Sequence, residues 1–215
     1  MKHIRAIIFD LDGVICFTDH YHYLAWKTVA DKLKIEFDER INDRLRGVSR
    51  MESLEIILEK YDGVLTLNEK AVLAEEKNEV YRALLSHMNP SDVAEEVKST
   101  LKTLKEAGIK LAIGSSSKNA GFILKQIKLT SMFDVVSDGN NISKSKPDPE
   151  VFIKAAESLG MSPGECLVVE DAEAGIEAAK AGGFIAVGIG AAIHGCKLCD
   201  YRLQSFKSLI ELTGK

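Results

Sequence analysis

Five short apolar runs, separated after the first by stretches of helical periodicity, constrain the fold of this chain more than any other feature. They span residues 4–9 (IRAIIF), 109–114 (IKLAIG), 133–136 (FDVV), 166–170 (CLVVE) and 184–189 (FIAVGI). Each is too short for a helical repeat and rich in Ile, Val or Phe, the pattern of a strand buried on both faces of a sheet. Residues 91–107, 118–129, 149–159 and 172–181 between them carry helical spacing. Ser91 is placed to cap the first, which stops at Gly108, and the second follows a serine cluster. The third has Asp148 as cap and Pro149 at its first position, and the last ends in Gly182-Gly183. Strand and helix in alternation predict an α/β fold, a Rossmann-like parallel sheet with helices on both faces. With 46% hydrophobic and 28% charged residues, a core forms without extra staples.

Residues 17–87 interrupt the alternation. They hold no convincing strand, but Ser49-x-x-Glu52 is a capping box ahead of Leu54, Ile56, Ile57 and Leu58, and Asn68 is placed to cap a long segment through Leu85. The economical division is a catalytic core of residues 1–16 and 88–215 with a helical cap, 17–87, inserted after the first strand. Because the insertion departs just beyond Asp12, it is expected over the carboxyl end of the sheet.

That end carries the chemistry. The first run finishes by presenting Asp10 and Asp12, with Gly13 behind them, where open α/β sheets bind ligands. Two buried aspartates need a compensating charge, and Mg²⁺ is commonly held by one or two carboxylates together with phosphate oxygens. Three further segments follow later runs: Ser115, Lys146-Pro147 and Glu170-Asp171. Singly, each has a plain alternative: a helix cap at Ser115, a solvated lysine beside Lys144, and a helix-start turn at Glu170-Asp171.

In this order the four segments resemble the motifs of the haloacid dehalogenase superfamily, over nearly the whole chain. The resemblance implies Asp10 as a nucleophile that accepts a phosphoryl group and Asp12 as general acid and base. It also implies Ser115 and Lys146 on the transferring phosphoryl group, and Mg²⁺ held by Asp10, Glu170, Asp171 and the main-chain carbonyl of Asp12. Within the superfamily, Thr18-x3-His22-x3-Trp26, Arg46-Gly47-Val48-Ser49-Arg50, Lys77-Asn78 and Ser116, Lys118 and Asn119 resemble the β-phosphoglucomutases. That family moves a phosphoryl group between C1 and C6 of glucose through β-glucose 1,6-bisphosphate, so two anion sites are implied. Arg50, with Ser116, Lys118 and Asn119, is then expected on the distal phosphate. His22 and Lys77 are expected to link the cap to Asp12, and Thr18 to fix Asp12. Trp26 reads equally as core packing. Arg46 stands where the family often carries lysine, and Ser116 where alanine is frequent. A hydrolase of a small sugar phosphate, from the same superfamily, is the competing reading.

The net charge of −4 gives no electrostatic reason for a nucleic-acid or membrane partner. No stretch approaches a transmembrane length and no signal-peptide core follows Met1, so a cytoplasmic protein is the expectation, and with no feature that forces a dimer, a monomer. Cys16, Cys166, Cys196 and Cys199 are expected as free thiols, with Cys196-x-x-Cys199 and the nearby His194 too sparse for a zinc site and a redox pair the remaining alternative there.

Overall fold

The computed structural model describes residues 4–193 and 195–214, so His194 lies outside the described residues. The strands are β1 (Ala6–Phe9), β2 (Lys110–Gly114), β3 (Val135–Ser137), β4 (Cys166–Glu170), β5 (Ile185–Gly188) and β6 (Tyr201–Arg202). They form one sheet in the order β3-β2-β1-β4-β5-β6, every pairing parallel. Four helices, α1 (Asp19–Lys32), α2 (Glu39–Asp43), α3 (Arg50–Leu58) and α4 (Leu67–Leu85), come between β1 and β2. They are followed by α5 (Glu95–Glu106), α6 (Ala120–Gln126), α7 (Glu150–Leu159), α8 (Glu173–Ala181) and α9 (Leu209–Leu212).

The twofold alternation of strand side chains divides the core. Ile7, Phe9, Leu111, Ile113, Leu167 and Val169 pack on one face with Leu101 and Leu104 of α5 and Ile123 and Leu124 of α6. Ala6, Ile8, Ala112 and Val168 pack on the other with Phe152 of α7 and Ile176 of α8. A third cluster, built on Trp26, Val29, Leu54, Ile57 and Leu73, holds the four inserted helices together.

The structure moves several expected boundaries. The long helix of the insertion is capped by Thr66 rather than Asn68: Thr66 Oγ1 accepts from Glu69 N while Glu69 Oε2 accepts from Thr66 N, a full capping box. Ser91 does not cap α5. Asn89 caps a short 3₁₀ turn at Pro90–Asp92, Val93 is extended, and the helix begins at Glu95. The segment after the serine cluster is helical only over Ala120–Gln126. Pro149 itself is the N-cap of α7, while Asp148 Oδ1 accepts from Glu150 N. The short exposed edge strand β6 had no apolar run to announce it. All four cysteines are free, and burial pushes the thiols of Cys166 and Cys199 up to about 11, which leaves little thiolate for redox chemistry at neutral pH. Among the described residues no helix is long and apolar enough to cross a membrane.

Candidate active site

Strand register assembles the reacting end. Phe9 lies level with Ile113 on one side and Val169 on the other, and Asp10 N donates to Val169 O at 2.9 Å. Asp10 is therefore brought beside Glu170 at the end of β4, with Ser115 one residue past β2. Gly13 has φ +82°, and a Cβ there would sit 2.0 Å from Asp171 Oδ2, so glycine is what lets the Asp171 carboxylate approach this turn.

Lys146 is fully buried and donates to Asp10 Oδ1 and Glu170 Oε1, both at 2.5 Å. Desolvation opposes its charge, but the two carboxylates outweigh it and hold the ammonium above its ordinary range. Glu170 Oε2 accepts from Asp171 N and Ala172 N at 2.9 Å, at the start of α8. Desolvation raises the Asp10 carboxyl well above the usual range, against the pull of Lys146. Desolvation, and then Glu170, lift Asp171 to about 7. One ammonium thus stands among three buried carboxylates. Their ligand oxygens lie within 4.8 Å of one another, and this all-oxygen donor set with excess negative charge fits a hard divalent cation such as Mg²⁺.

Asp12 is held from the insertion side. Thr18 Oγ1 donates to Asp12 Oδ1 and in turn accepts from Tyr81 Oη at 3.0 Å. Lys77 is buried between the rings of Trp26 and Tyr81, with Nζ 5.0 and 4.2 Å from their centroids. Burial, and then Arg50, bring its amine down to about 7. Its Nζ lies 3.0 Å from His22 Nδ1. His22 Nε2 in turn faces Asp12 Oδ2 at 3.9 Å. Desolvation, and then Lys77, lower the His22 pKa and keep that imidazole neutral. Desolvation raises Asp12 to about 6, with the Thr18 bond working against it.

These groups open onto a cavity of about 440 Å³ between the sheet end and the insertion. Asp10, Asp12, His22, Trp26, Lys77, Ser115, Glu170 and Asp171 line it, as do Arg46, Gly47, Val48 and Ser49 from the loop entering α3, Arg50 from the start of α3, and Ser116, Lys118 and Asn119 from the loop entering α6. Thr18 and Lys146 are buried behind the wall, hydrogen-bonded to Asp12 and Asp10 respectively. Gly47 has φ +76° and turns the chain ahead of the Ser49–Glu52 capping box that starts α3. Trp26 both lines the cavity and belongs to the core of the insertion. Arg46 is occupied by carboxylates, with Nη1 2.7 Å from Asp19 Oδ2 and 3.4 Å from Asp171 Oδ2. Sequence reasoning missed Tyr81, Asp19, Glu75 and Ser117. Ser117 Oγ accepts from Asn119 N at 3.2 Å and also lines the cavity. The serine cluster was its only signal.

Ser116 Oγ is, among the described residues, the one buried side-chain oxygen or nitrogen with no hydrogen-bond partner. Such a group costs about 1–3 kcal/mol. Ser116→Ala is therefore expected to raise the melting temperature of the ligand-free protein by about 2–4 °C per kcal/mol recovered. A melting temperature that falls in differential scanning calorimetry would contradict this.

Residues 4–183 match a family model described as haloacid dehalogenase-like hydrolase. A β-phosphoglucomutase of Bacillus subtilis (strain 168) is 44% identical to the chain over 193 residues, 87% of this chain and 84% of that protein. A phosphorylated carbohydrates phosphatase of Thermotoga maritima is 33% identical over 183 residues, covering 84% and 82%. The crystal structure of β-phosphoglucomutase from Clostridium difficile aligns with a TM-score of 0.92 at 36% identity, over 98% of this chain and 96% of that one.

Proposed function

We infer the function from the premise that the chain belongs to the haloacid dehalogenase-like hydrolase family. It acts as a β-phosphoglucomutase, interconverting β-D-glucose 1-phosphate and glucose 6-phosphate. The observation that carries this reading is one cavity lined by two kinds of phosphate-binding group. Asp10, Glu170 and Asp171 line it, and so do Arg50, Lys118 and Asn119, so one sugar can be gripped by two phosphates.

Asp10 attacks phosphorus and becomes an aspartyl phosphate as the bond to the sugar oxygen breaks. Asp12 gives its proton to that leaving oxygen, and in the return half-reaction takes the proton of the hydroxyl that attacks the aspartyl phosphate. Ser115 Oγ, which accepts from Ser117 N, keeps its own O–H for a phosphoryl oxygen. Lys146 steadies the Asp10 carboxylate. Asp10, Glu170, Asp171 and the Asp12 carbonyl would hold Mg²⁺, which when bound supplies positive charge against the phosphoryl oxygens. Arg50, Lys118 and Asn119 anchor the phosphate that does not react, and Ser116 lies beside them. Arg46, Gly47, Val48, Ser49 and Trp26 face the sugar. Residues 17–87 serve as a cap that excludes water over a core of 1–16 and 88–215, steering the aspartyl phosphate to a sugar hydroxyl. β-Glucose 1,6-bisphosphate is the intermediate and activator, and the enzyme works as a cytoplasmic monomer.

A hydrolase is the second reading, favoured by the phosphatase relative. A phosphorus NMR time course with Mg²⁺, β-glucose 1-phosphate and a trace of glucose 1,6-bisphosphate separates the two. The mutase gives glucose 6-phosphate with little free phosphate. Inorganic phosphate appearing as fast as substrate disappears makes the protein a phosphatase.

A further inference from the structure

We propose that Glu75 and Asn78 are positioning residues that set the placement of Arg50 against Asn119, and so favour phosphorylated sugars carrying a second anchoring phosphate over phosphoryl donors that lack one. The proposal rests on the two-phosphate reading above and extends it to residues that act through others.

Three hydrogen bonds in series join the groups. Arg50 Nη1 donates to Glu75 Oε2 at 3.0 Å, Asn78 Nδ2 donates to Glu75 Oε1 at 2.9 Å, and Asn119 Nδ2 donates to Asn78 Oδ1 at 2.9 Å. Glu75 and Asn78 are three residues apart on α4, so their side chains share one face of the helix. Arg50 begins α3, while Asn119 is the N-cap residue of α6 on the sheet side. The series therefore runs from one inserted helix, through a second, to the sheet-side helices.

The inner half of the bridge is enclosed, since Asn78 and Asn119 are both buried. Inside a protein a satisfied amide pair fixes geometry, and losing one partner leaves the other buried and unpaired. The outer half orients without blocking. Glu75 takes a single nitrogen of Arg50, and the guanidinium keeps its Nε–Nη2 edge, the planar fork that suits two phosphate oxygens. The Asn119 amide likewise keeps its second N–H. Lys118, next to Asn119, brings a further cation to the same wall. The bridge thus holds two anchoring groups from different elements in one arrangement before ligand arrives, which reduces the ordering cost of binding.

The test compares two phosphoryl sources in wild type, Glu75→Gln and Asn78→Ala. β-Glucose 1-phosphate turns over through the 1,6-bisphosphate, whose non-reacting phosphate needs the far anchor, whereas acetyl phosphate, a small acyl phosphate with no second anchoring group, engages Asp10 alone. Each variant is expected to lose about tenfold in kcat/KM for the sugar phosphate, chiefly through KM, with a much smaller change in acetyl phosphate consumption. The double variant Asn78→Ala/Asn119→Ala is expected to lose no more than Asn119→Ala alone, because the two residues act as one unit. Equal losses with both phosphoryl sources would mean a general structural role and overturn the proposal, as would unchanged KM in both variants. Glu75 is exposed, so Glu75→Gln answers even if Asn78→Ala folds poorly. The mutase reading fails separately, in wild type, if the sugar phosphate yields free phosphate. The variants are then compared on that hydrolysis.

Discussion

Asp10→Asn is expected to lower phosphoryl transfer by about 10⁴-fold or more, the scale on which removing a nucleophile acts when the rest of the site survives. An amide has the size of the carboxyl but no negative oxygen to attack phosphorus. The fold should tolerate the change. Burial already disfavours charge at Asp10, and the amide oxygen can still accept from Lys146, which keeps Glu170 as its second partner. The expected picture is a folded protein that converts no β-glucose 1-phosphate in the NMR assay and forms no phosphoprotein with acetyl phosphate. Turnover near the wild-type rate would mean that the phosphoryl group never resides on Asp10, and the mechanism above would be wrong.

Asp12→Ala is expected to cost about 10²–10⁴-fold in kcat, the usual contribution of a placed general acid and base. Its apparent Mg²⁺ affinity should change little, because only the main-chain carbonyl of residue 12 is assigned to the metal. A carboxyl raised to about 6 gives up and takes back a proton near neutrality more readily than an ordinary aspartate. Thr18, itself held by Tyr81, orients one oxygen of that carboxyl. His22, with Lys77 behind it, faces the other. Measuring kcat alongside a Mg²⁺ titration decides the point. Parallel losses in both would assign Asp12 to the metal rather than to the proton.

Both predictions concern residues legible in the sequence, and the reason is chemical. Asp10 and Asp12 end an apolar run, where carboxylates have no packing value and few neighbours to satisfy them, so their presence calls for a cation and a phosphate. Ser115 and Glu170-Asp171 repeat the pattern at the ends of later runs. Alternating runs and helical stretches likewise determined the parallel α/β sheet, since a strand buried on both faces leaves a continuous apolar signature. Local signals were weaker where two caps competed. Thr66-x-x-Glu69 prevailed over Asn68 because it satisfies two backbone donors at once.

The sequence by itself determined the sheet, the inserted helices and the carboxylates at the strand ends, because each is a local pattern of polarity or spacing. Only the tertiary structure decided which distant groups meet. Arg46 belongs to one loop in the sequence, but only folding sets it on the cavity wall with Asp19 and Asp171 as partners. Tyr81 drew no reading from the sequence, yet its hydroxyl donates to Thr18, 63 residues away in sequence. Glu75 carries no motif, and Asn78 entered only beside Lys77 in the family resemblance. Their bonds to Arg50 and Asn119 exist because α4 lies between α3 and α6, and a hydrogen bond between elements depends on packing that no single stretch of sequence encodes.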